Sequence, residues 1–393
     1  MTNIPGSPCC ATSESSSSRR SVLKAVGALG GAGVASLAGA MLTPAAAGAA
    51  SAQAAPGKQD WSGTNVVLLG TGGGPIPMTD RQMTSQVVVV DGAAYVVDCG
   101  SGVVRQMYAA GVTHGMLRAL FVTHFHADHF SDYLPLMLFG RPLPGQEYGY
   151  AGQLHVYGPP SLGLPPGVPM PGVELIQPDN PHPGMTDVHN GVLAAFATTT
   201  NSQGIKAAFG PDIRDLIVPH DLSVNATADL PSPPRMRPFT VYEDDRVRVS
   251  ATLVNHYWPF PAFGFRFDTD HGSVTFSGDT TPSDNLVELA RNTDVLVHEI
   301  MDGQGMLDHG MAEFMVKGLR GCHTDITQIG GVATRAGART LALSHIVPLT
   351  LASPTPPKIP AGHWRSTIKR DYDGTVVIGE DLQRVRVGRR SGR

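Results

Sequence analysis

Cysteine is scarce in this chain: four among 393 residues, and two of them, Cys9 and Cys10, fall within the first ten positions. Cys99 and Cys322 remain, which permits one disulfide in an oxidising compartment but requires none. Charge is sparse as well. With 16% charged and 41% hydrophobic residues, the composition is that of a globular protein and excludes a disordered or fibrous one. There is no basic excess, since 29 lysines and arginines face 33 aspartates and glutamates. No Gly-Lys-Ser/Thr follows the glycine cluster Gly72 to Gly74, and the spacing of a dinucleotide fingerprint is missing. The stretch "TGGGPIP" therefore reads as a tight turn. No segment repeats at a period of about 20 to 50 residues, which excludes a solenoid or propeller.

The N-terminus carries an address rather than a fold. "SRRSVLK", Ser18 to Lys24, sets twin arginines before a Gly/Ala-rich apolar run from Ala25 to Leu42, and "AQA", Ala52 to Ala54, supplies small residues for a peptidase. Residues 1–54 are thus expected to be a twin-arginine signal peptide read by the twin-arginine export machinery. The expected location is exported, periplasmic or extracellular. Cleavage removes Arg19, Arg20 and Lys24 but only one carboxylate, Glu14, so the formal charge moves from −4 to −6. A mildly acidic mature protein is a poor general binder of nucleic acid. The five arginines from Arg384 to Arg393 run the other way, and they read as a last strand with a solvated end.

From residue 55 onward the pattern is that of one large domain, 55–393. "NVVLLG" reads as a strand, "SQVVVV" and "AYVVD" as a hairpin around Asp91-Gly92, and "SGVVRQMYAAG" as a helix closed by Gly111. A helix is expected from Phe130 to Phe139. Residues 142–240 hold 17 of the 32 prolines, with one helical stretch near Val188 to Thr199, and read as a Pro-rich insertion lying over the core. Strands return at "RVRVSATLVNH", "FGFRFD", "SVTFSGD" and "DVLVHE"; then come a helix near Thr324 to Ala336, the strand "TLALSH", and closing strands at "GTVVIG" and "QRVRV". Two such rounds point to an α/β fold of four layers, an αββα sandwich.

One motif carries the chemistry. "THFHADHF", Thr123 to Phe130, places three histidines and an aspartate within six residues directly after the apolar run "LRALFV". On a loop leaving a strand, His124 and His126 can face one point, while Asp128 and His129, one turn on, face a second. Imidazole and carboxylate ligands without thiolate suit Zn²⁺ and also tolerate Fe or Mn. His256, Asp279 and His345 each end a β-rich apolar run and are candidate ligands too.

These motifs in this order, His-X-His-X-Asp-His, then a histidine, an aspartate in "SGDT" and a final histidine, resemble the metallo-β-lactamase superfamily. Within it, "LLGTGGG", "DCGSGVVRQMYAAG", "VYGPP", "FGFRF", "LVHE" and "LSHIVP" look most like the ribonuclease Z and arylsulfatase-like branch. The resemblance implies the metallo-β-lactamase fold and two zinc ions. His124, His126 and His256 would hold one zinc, Asp128, His129 and His345 the other, and Asp279 would bridge them. His323 in "GCHTD" resembles the non-ligand histidine that acts as the acid in that branch, and His298 in "LVHEI" is the second candidate. Asp279 follows His256 by only 23 positions, too few for the tRNA-clamping arm of long-armed relatives.

The expected function is that of an exported dinuclear-zinc metallohydrolase. A water shared by two cations, oriented or deprotonated by the catalytic Asp128, would attack a small-molecule phosphodiester or related ester as hydroxide. Lactone or β-lactam hydrolysis is the first alternative, because the same hydroxide attacks carbonyls. A non-catalytic metal- or ligand-binding protein is the second. The remaining histidines, at 114, 155, 182, 189, 220, 271, 309 and 363, are expected at the surface, with His220 the one placed to reach the site from above. Tyr257, Trp258, Phe260 and Phe263 either wall a pocket or pack beneath the site.

Overall fold

The computed structural model describes residues 59–143, 145, 148–162, 174–203, 210–224, 233–257 and 260–388. The expected signal, 1–54, lies outside them, as do Trp258 and the arginines from Arg389 onward. The first sheet is built from β1 (Thr64–Gly70), β2 (Ser85–Val90), β3 (Ala93–Val97), β4 (Leu117–Phe121), β5 (Leu154–Gly158) and β6 (Ile217–Asp221). The second holds β7 (Phe239–Glu243), β8 (Val247–Val254), β9 (Ala262–Thr269), β10 (Gly272–Phe276), β11 (Val295–Ile300), β12 (Thr340–Ile346) and β13 (Thr375–Ile378). The last strand, β14 (Gln383–Arg386), returns to the first sheet, giving the orders β14-β1-β2-β3-β4-β5-β6 and β13-β12-β11-β10-β9-β8-β7. Each sheet is antiparallel at one end and parallel at the other.

The apolar runs are continuous because both faces of these strands are covered. In β1, Val66 and Leu68 point into a core shared with Phe265, Phe267 and Phe276 of the second sheet, whereas Val67 and Leu69 point outward. The outward face meets Val103, Met107, Tyr133 and Leu136 from the helices Val103–Ala109 and Tyr133–Phe139. On the far side, Leu296, Leu341 and Leu343 are covered by Ile329 and Ala333 of the helix Ile326–Ala336 and by Trp364 of Ala361–Ile368. The result is helix, sheet, sheet, helix. The β2–β3 hairpin turns at Asp91 and Gly92, with φ of 45° and 87°, the left-handed geometry that a two-residue hairpin turn requires.

Several expectations need correction. Residues 142–240 are not one insertion lying over the core, because β5 and β6 inside that range are strands of the first sheet and β7 starts in the second. Proline density misled here: Pro219 sits within β6, which is an edge strand, where a missing N–H costs no ladder bond. The helix expected over 130–139 is two, Ala127–Phe130 and Tyr133–Phe139. His114 and His189 are buried, not surface residues. His114 is held by the Tyr108 hydroxyl at 2.9 Å and the Leu136 carbonyl at 3.1 Å, and His189 by the Tyr133 hydroxyl at 2.7 Å. Cys99 and Cys322 are both free. Among the described residues, no helix is long and apolar enough to cross a membrane.

Candidate metal centre

Strand ends from both sheets deliver the polar side chains to one place. β4 runs out through Val122 and Thr123 into His124 and His126, and the short helix Ala127–Phe130 carries Asp128 and His129. From the second sheet, His256 follows β8, Asp279 follows β10, and His345 lies in β12 one residue before its end, with φ of 41°.

Their ligating atoms converge in two groups. His126 Nδ1 lies 3.1 Å from His124 Nε2 and 3.2 Å from His256 Nε2, while Asp279 Oδ2 lies 4.0 and 3.7 Å from the latter two nitrogens. Ligand atoms ~2.0–2.1 Å from one tetrahedral cation stand about 3.3 Å apart, and His126 Nδ1 already has that spacing from both other nitrogens. The second group is Asp128, His129 and His345. His345 Nε2 is 3.0 Å from Asp128 Oδ2 and 3.1 Å from Asp279 Oδ2, and His129 Nε2 is 3.6 Å from Asp128 Oδ2 and 3.3 Å from Asp279 Oδ1. Asp279 thus faces both groups. His323 joins Asp279 and His345 in a third grouping.

The fit to cations rests on unsatisfied atoms. His129 Nε2 and Asp279 Oδ1 are buried and without a hydrogen-bond partner, which a protein interior tolerates poorly unless something else meets them. Outer contacts aim the lone pairs inward. Asp98 accepts from the Thr123 amide at 2.7 Å, the Thr123 hydroxyl at 2.9 Å and His129 Nδ1 at 2.8 Å. With its proton given to Asp98, the Thr123 hydroxyl accepts from His124 Nδ1 at 3.0 Å, and the Cys322 carbonyl accepts from His256 Nδ1 at 2.9 Å. Each of these rings, when neutral, therefore keeps its lone pair at Nε2, the arrangement typical of metal-binding histidines.

Electrostatics point the same way. Burial holds His124 well below the usual imidazole range and His256 down at about 3, so both stay neutral. Burial also opposes charge on His129 and His345, yet Asp279 and Asp128 overcome it and draw His345 up to about 10. Asp128, despite its burial, is kept ionised by His129 and His345. Two anionic carboxylates among buried rings attract positive charge, whether protons or divalent cations.

The structure brings all seven expected ligands together and separates the two candidate acids. His323 Nδ1 faces Glu299 Oε2 at 3.4 Å and Asp279 Oδ2 at 3.8 Å, beside the cluster. His298 is fully buried in β11, its Nδ1–H donating to the Glu299 carbonyl at 2.7 Å, and it belongs to none of the three groupings. His220 does not reach over the site. It pairs with His155 at 2.9 Å in the neighbouring strand and stacks on Tyr157. Phe263 packs between the sheets, whereas Phe260 lines a cavity with Phe125.

Three contributors were missed from the sequence. Glu299 accepts from the amides of Thr280 at 3.2 Å and Thr324 at 2.9 Å, which fixes its other oxygen toward His323. Asp98, with φ of 58°, orients His129. Gly74 donates its amide to Asp128 Oδ2 at 2.7 Å, and a Cβ there would lie 2.7 Å from the Asp128 Cγ. The glycine-rich turn is therefore part of the site. "DCG" and "GTGGG" offered a signal for the last two, but only their neighbours in space show what it meant.

Comparison with known proteins agrees with this geometry. A family model described as anti-Pycsar protein Apyc1 matches residues 64–133. Ribonuclease Z of Mycolicibacterium paratuberculosis is 30% identical over 322 residues, covering 82% of this chain and 98% of its own. Ribonuclease Z of Mycobacterium bovis is 29% identical over 330 residues with the same coverage. Human tRNase Z, short form, superposes with a TM-score of 0.53 at 18% identity, and the metallo-beta-lactamase fold protein YhfI of Bacillus subtilis with 0.52 at 17%; each match covers 82% of this chain and 99% of the other. With such identity over nearly the whole length of its relatives, the chain belongs to the ribonuclease Z family, as a metal-dependent hydrolase of the phosphodiesterase type on the metallo-β-lactamase fold.

Proposed function

We propose that this protein is an exported, dinuclear-zinc hydrolase of small phosphodiesters or closely related esters. The observation that carries the reading is the pair of ligand groups that Asp279 faces, with the buried atoms His129 Nε2 and Asp279 Oδ1 left unsatisfied. His124, His126 and His256 would hold one zinc, Asp128, His129 and His345 the second, and Asp279 would touch both. When bound, such cations supply Lewis acidity toward phosphoryl oxygens and acidify water from a pKa of about 15.7 toward ~7.

The rest belongs to the side chains. Asp128 is anionic and fixed through Oδ2 by the Gly74 amide, so its other oxygen is available to orient the attacking water and take its proton. Glu299 raises His323 above the ordinary imidazole value despite its burial, which favours the protonated form that an acid needs. With Nδ1 turned to Glu299, Nε2 is the atom that would give a proton to the leaving oxygen. The acidic balance left after residues 1–54 are removed favours a small ester over a nucleic acid.

Metal analysis of the purified protein together with a substrate panel tests the reading. Close to two metal equivalents, mostly zinc, are expected, with bis-p-nitrophenyl phosphate hydrolysed faster than p-nitrophenyl sulfate, nitrocefin or a lactone. His124→Ala and Asp279→Ala should lower metal content and turnover together. Full activity without metal, or a preference for nitrocefin or the lactone, would overturn it.

A further inference from the structure

A cavity of about 370 Å³ is lined by residues next in sequence to the candidate ligands and has a chemistry unlike theirs. Its walls are carried by the segments that carry the candidate ligands. Phe125 stands between His124 and His126, Phe130 follows His129, and Phe260 and Pro261 come four and five residues after His256. The rest of the lining comes from the stretch between β5 and β6, including His182 and, on the helix Met185–Ala195, Val188. The Phe125 and Phe130 rings meet edge to face at 5.2 Å, and Phe130 in turn stacks on the buried Tyr133 at 4.7 Å, so this wall is braced from behind.

Among the described residues that line the cavity there is no lysine, arginine, aspartate or glutamate, and burial lowers the pKa of its one histidine, His182, toward the neutral form. A polyanionic backbone gains nothing from such walls, because its affinity comes from cations that displace counterions. An aromatic ring gains both apolar burial and ring contacts. The volume lies at the small end of ligand pockets, about 300–1,000 Å³, which fits one ring system rather than a chain of nucleotides.

We propose that this cavity is the specificity pocket of the metal centre and receives one uncharged flat ring, an aryl group or a nucleobase, borne by a small phosphodiester. The inference rests on the phosphodiester reading of the site. It assigns Phe125, Phe130 and Phe260 as ring contacts and Val188 as a further apolar contact.

Binding to the metal-loaded protein tests it with two matched pairs of probes. Phenylphosphonate and methylphosphonate share a head group and differ by an aryl ring; thymidine 5′-monophosphate and 2-deoxyribose 5-phosphate differ by a nucleobase. At least one ring-bearing probe should bind roughly tenfold or more tightly than its partner, the scale of one aromatic stacking contact. Which pair discriminates identifies the ring. Phe260→Ala and, separately, Val188→Asp should each abolish most of that preference while metal content, melting temperature and the affinity for methylphosphonate stay as in the parent protein. Equal affinity within both pairs, or a preference that survives both substitutions, overturns the inference. So does a higher kcat/KM for precursor tRNA than for bis-p-nitrophenyl phosphate. If the ring preference is found and lost as described but no phosphodiester is cleaved, the pocket stands and the phosphodiester reading fails.

Discussion

Glu299 and His323 show how one residue sets the task of another. Glu299 is pinned by two backbone amides and faces the His323 ring, so the charged form of that ring is favoured although burial opposes it. If His323 donates a proton, its active form is the protonated one, and activity must fall as pH rises through a pKa that lies above 6.5. Glu299→Gln removes the carboxylate, so the alkaline limb of the kcat/KM profile should move to lower pH. His323→Ala should keep the metals yet lose about 10² to 10⁴ in turnover, less for leaving groups as acidic as p-nitrophenolate. Loss of a metal in His323→Ala would instead identify it as a ligand, in keeping with its grouping with Asp279 and His345.

At the scale of elements, the turn after β1 closes the site because glycine lets it come close. A Cβ on Gly73 would meet the His345 ring at 2.7 Å and one on Gly74 the Asp128 carboxylate at the same distance. Asp381 anchors this turn by accepting from the Thr71 amide at 3.0 Å and the Gln82 amide at 2.6 Å. Gly74→Ala must therefore push Asp128 aside, and a misplacement of that order costs roughly 10² in rate. The expected result is a loss of that size in kcat/KM with the melting temperature little changed. Gly152→Ala, where a Cβ meets nothing within 4 Å, is the control and should behave as the parent. Equal rates for the two variants would show that the turn does not position Asp128.

For the whole molecule, the ligand groups span positions 124 to 345 and draw on both sheets, so neither can form until both sheets are in place. A twin-arginine route suits such a protein because it carries folded chains, with the metals inserted beforehand. Replacing Arg19 and Arg20 by lysine should leave a metal-loaded precursor in the cytoplasm, detectable by fractionation and by its uncut residues 1–54. Export at the parent level would refute the route.

The sequence alone was enough to pick out the residues that converge and the layered fold, for a physical reason. Strands covered on both faces read as apolar-rich runs, and each candidate ligand, His124, His256, Asp279 and His345, sits where such a run ends, so pattern and position coincide. Where local composition and tertiary role diverge, the sequence could mislead. Prolines around β5 and β6 looked like an insertion, although an edge strand accepts proline, and His114 and His189 looked exposed because their partners Tyr108, Leu136 and Tyr133 are fixed only by packing. Whether His298 or His323 meets the cluster, and what Gly74 and Glu299 touch, depends on distances across the two sheets. Those distances exist only once the strands have paired, because no local pattern encodes which side chain faces which across a gap.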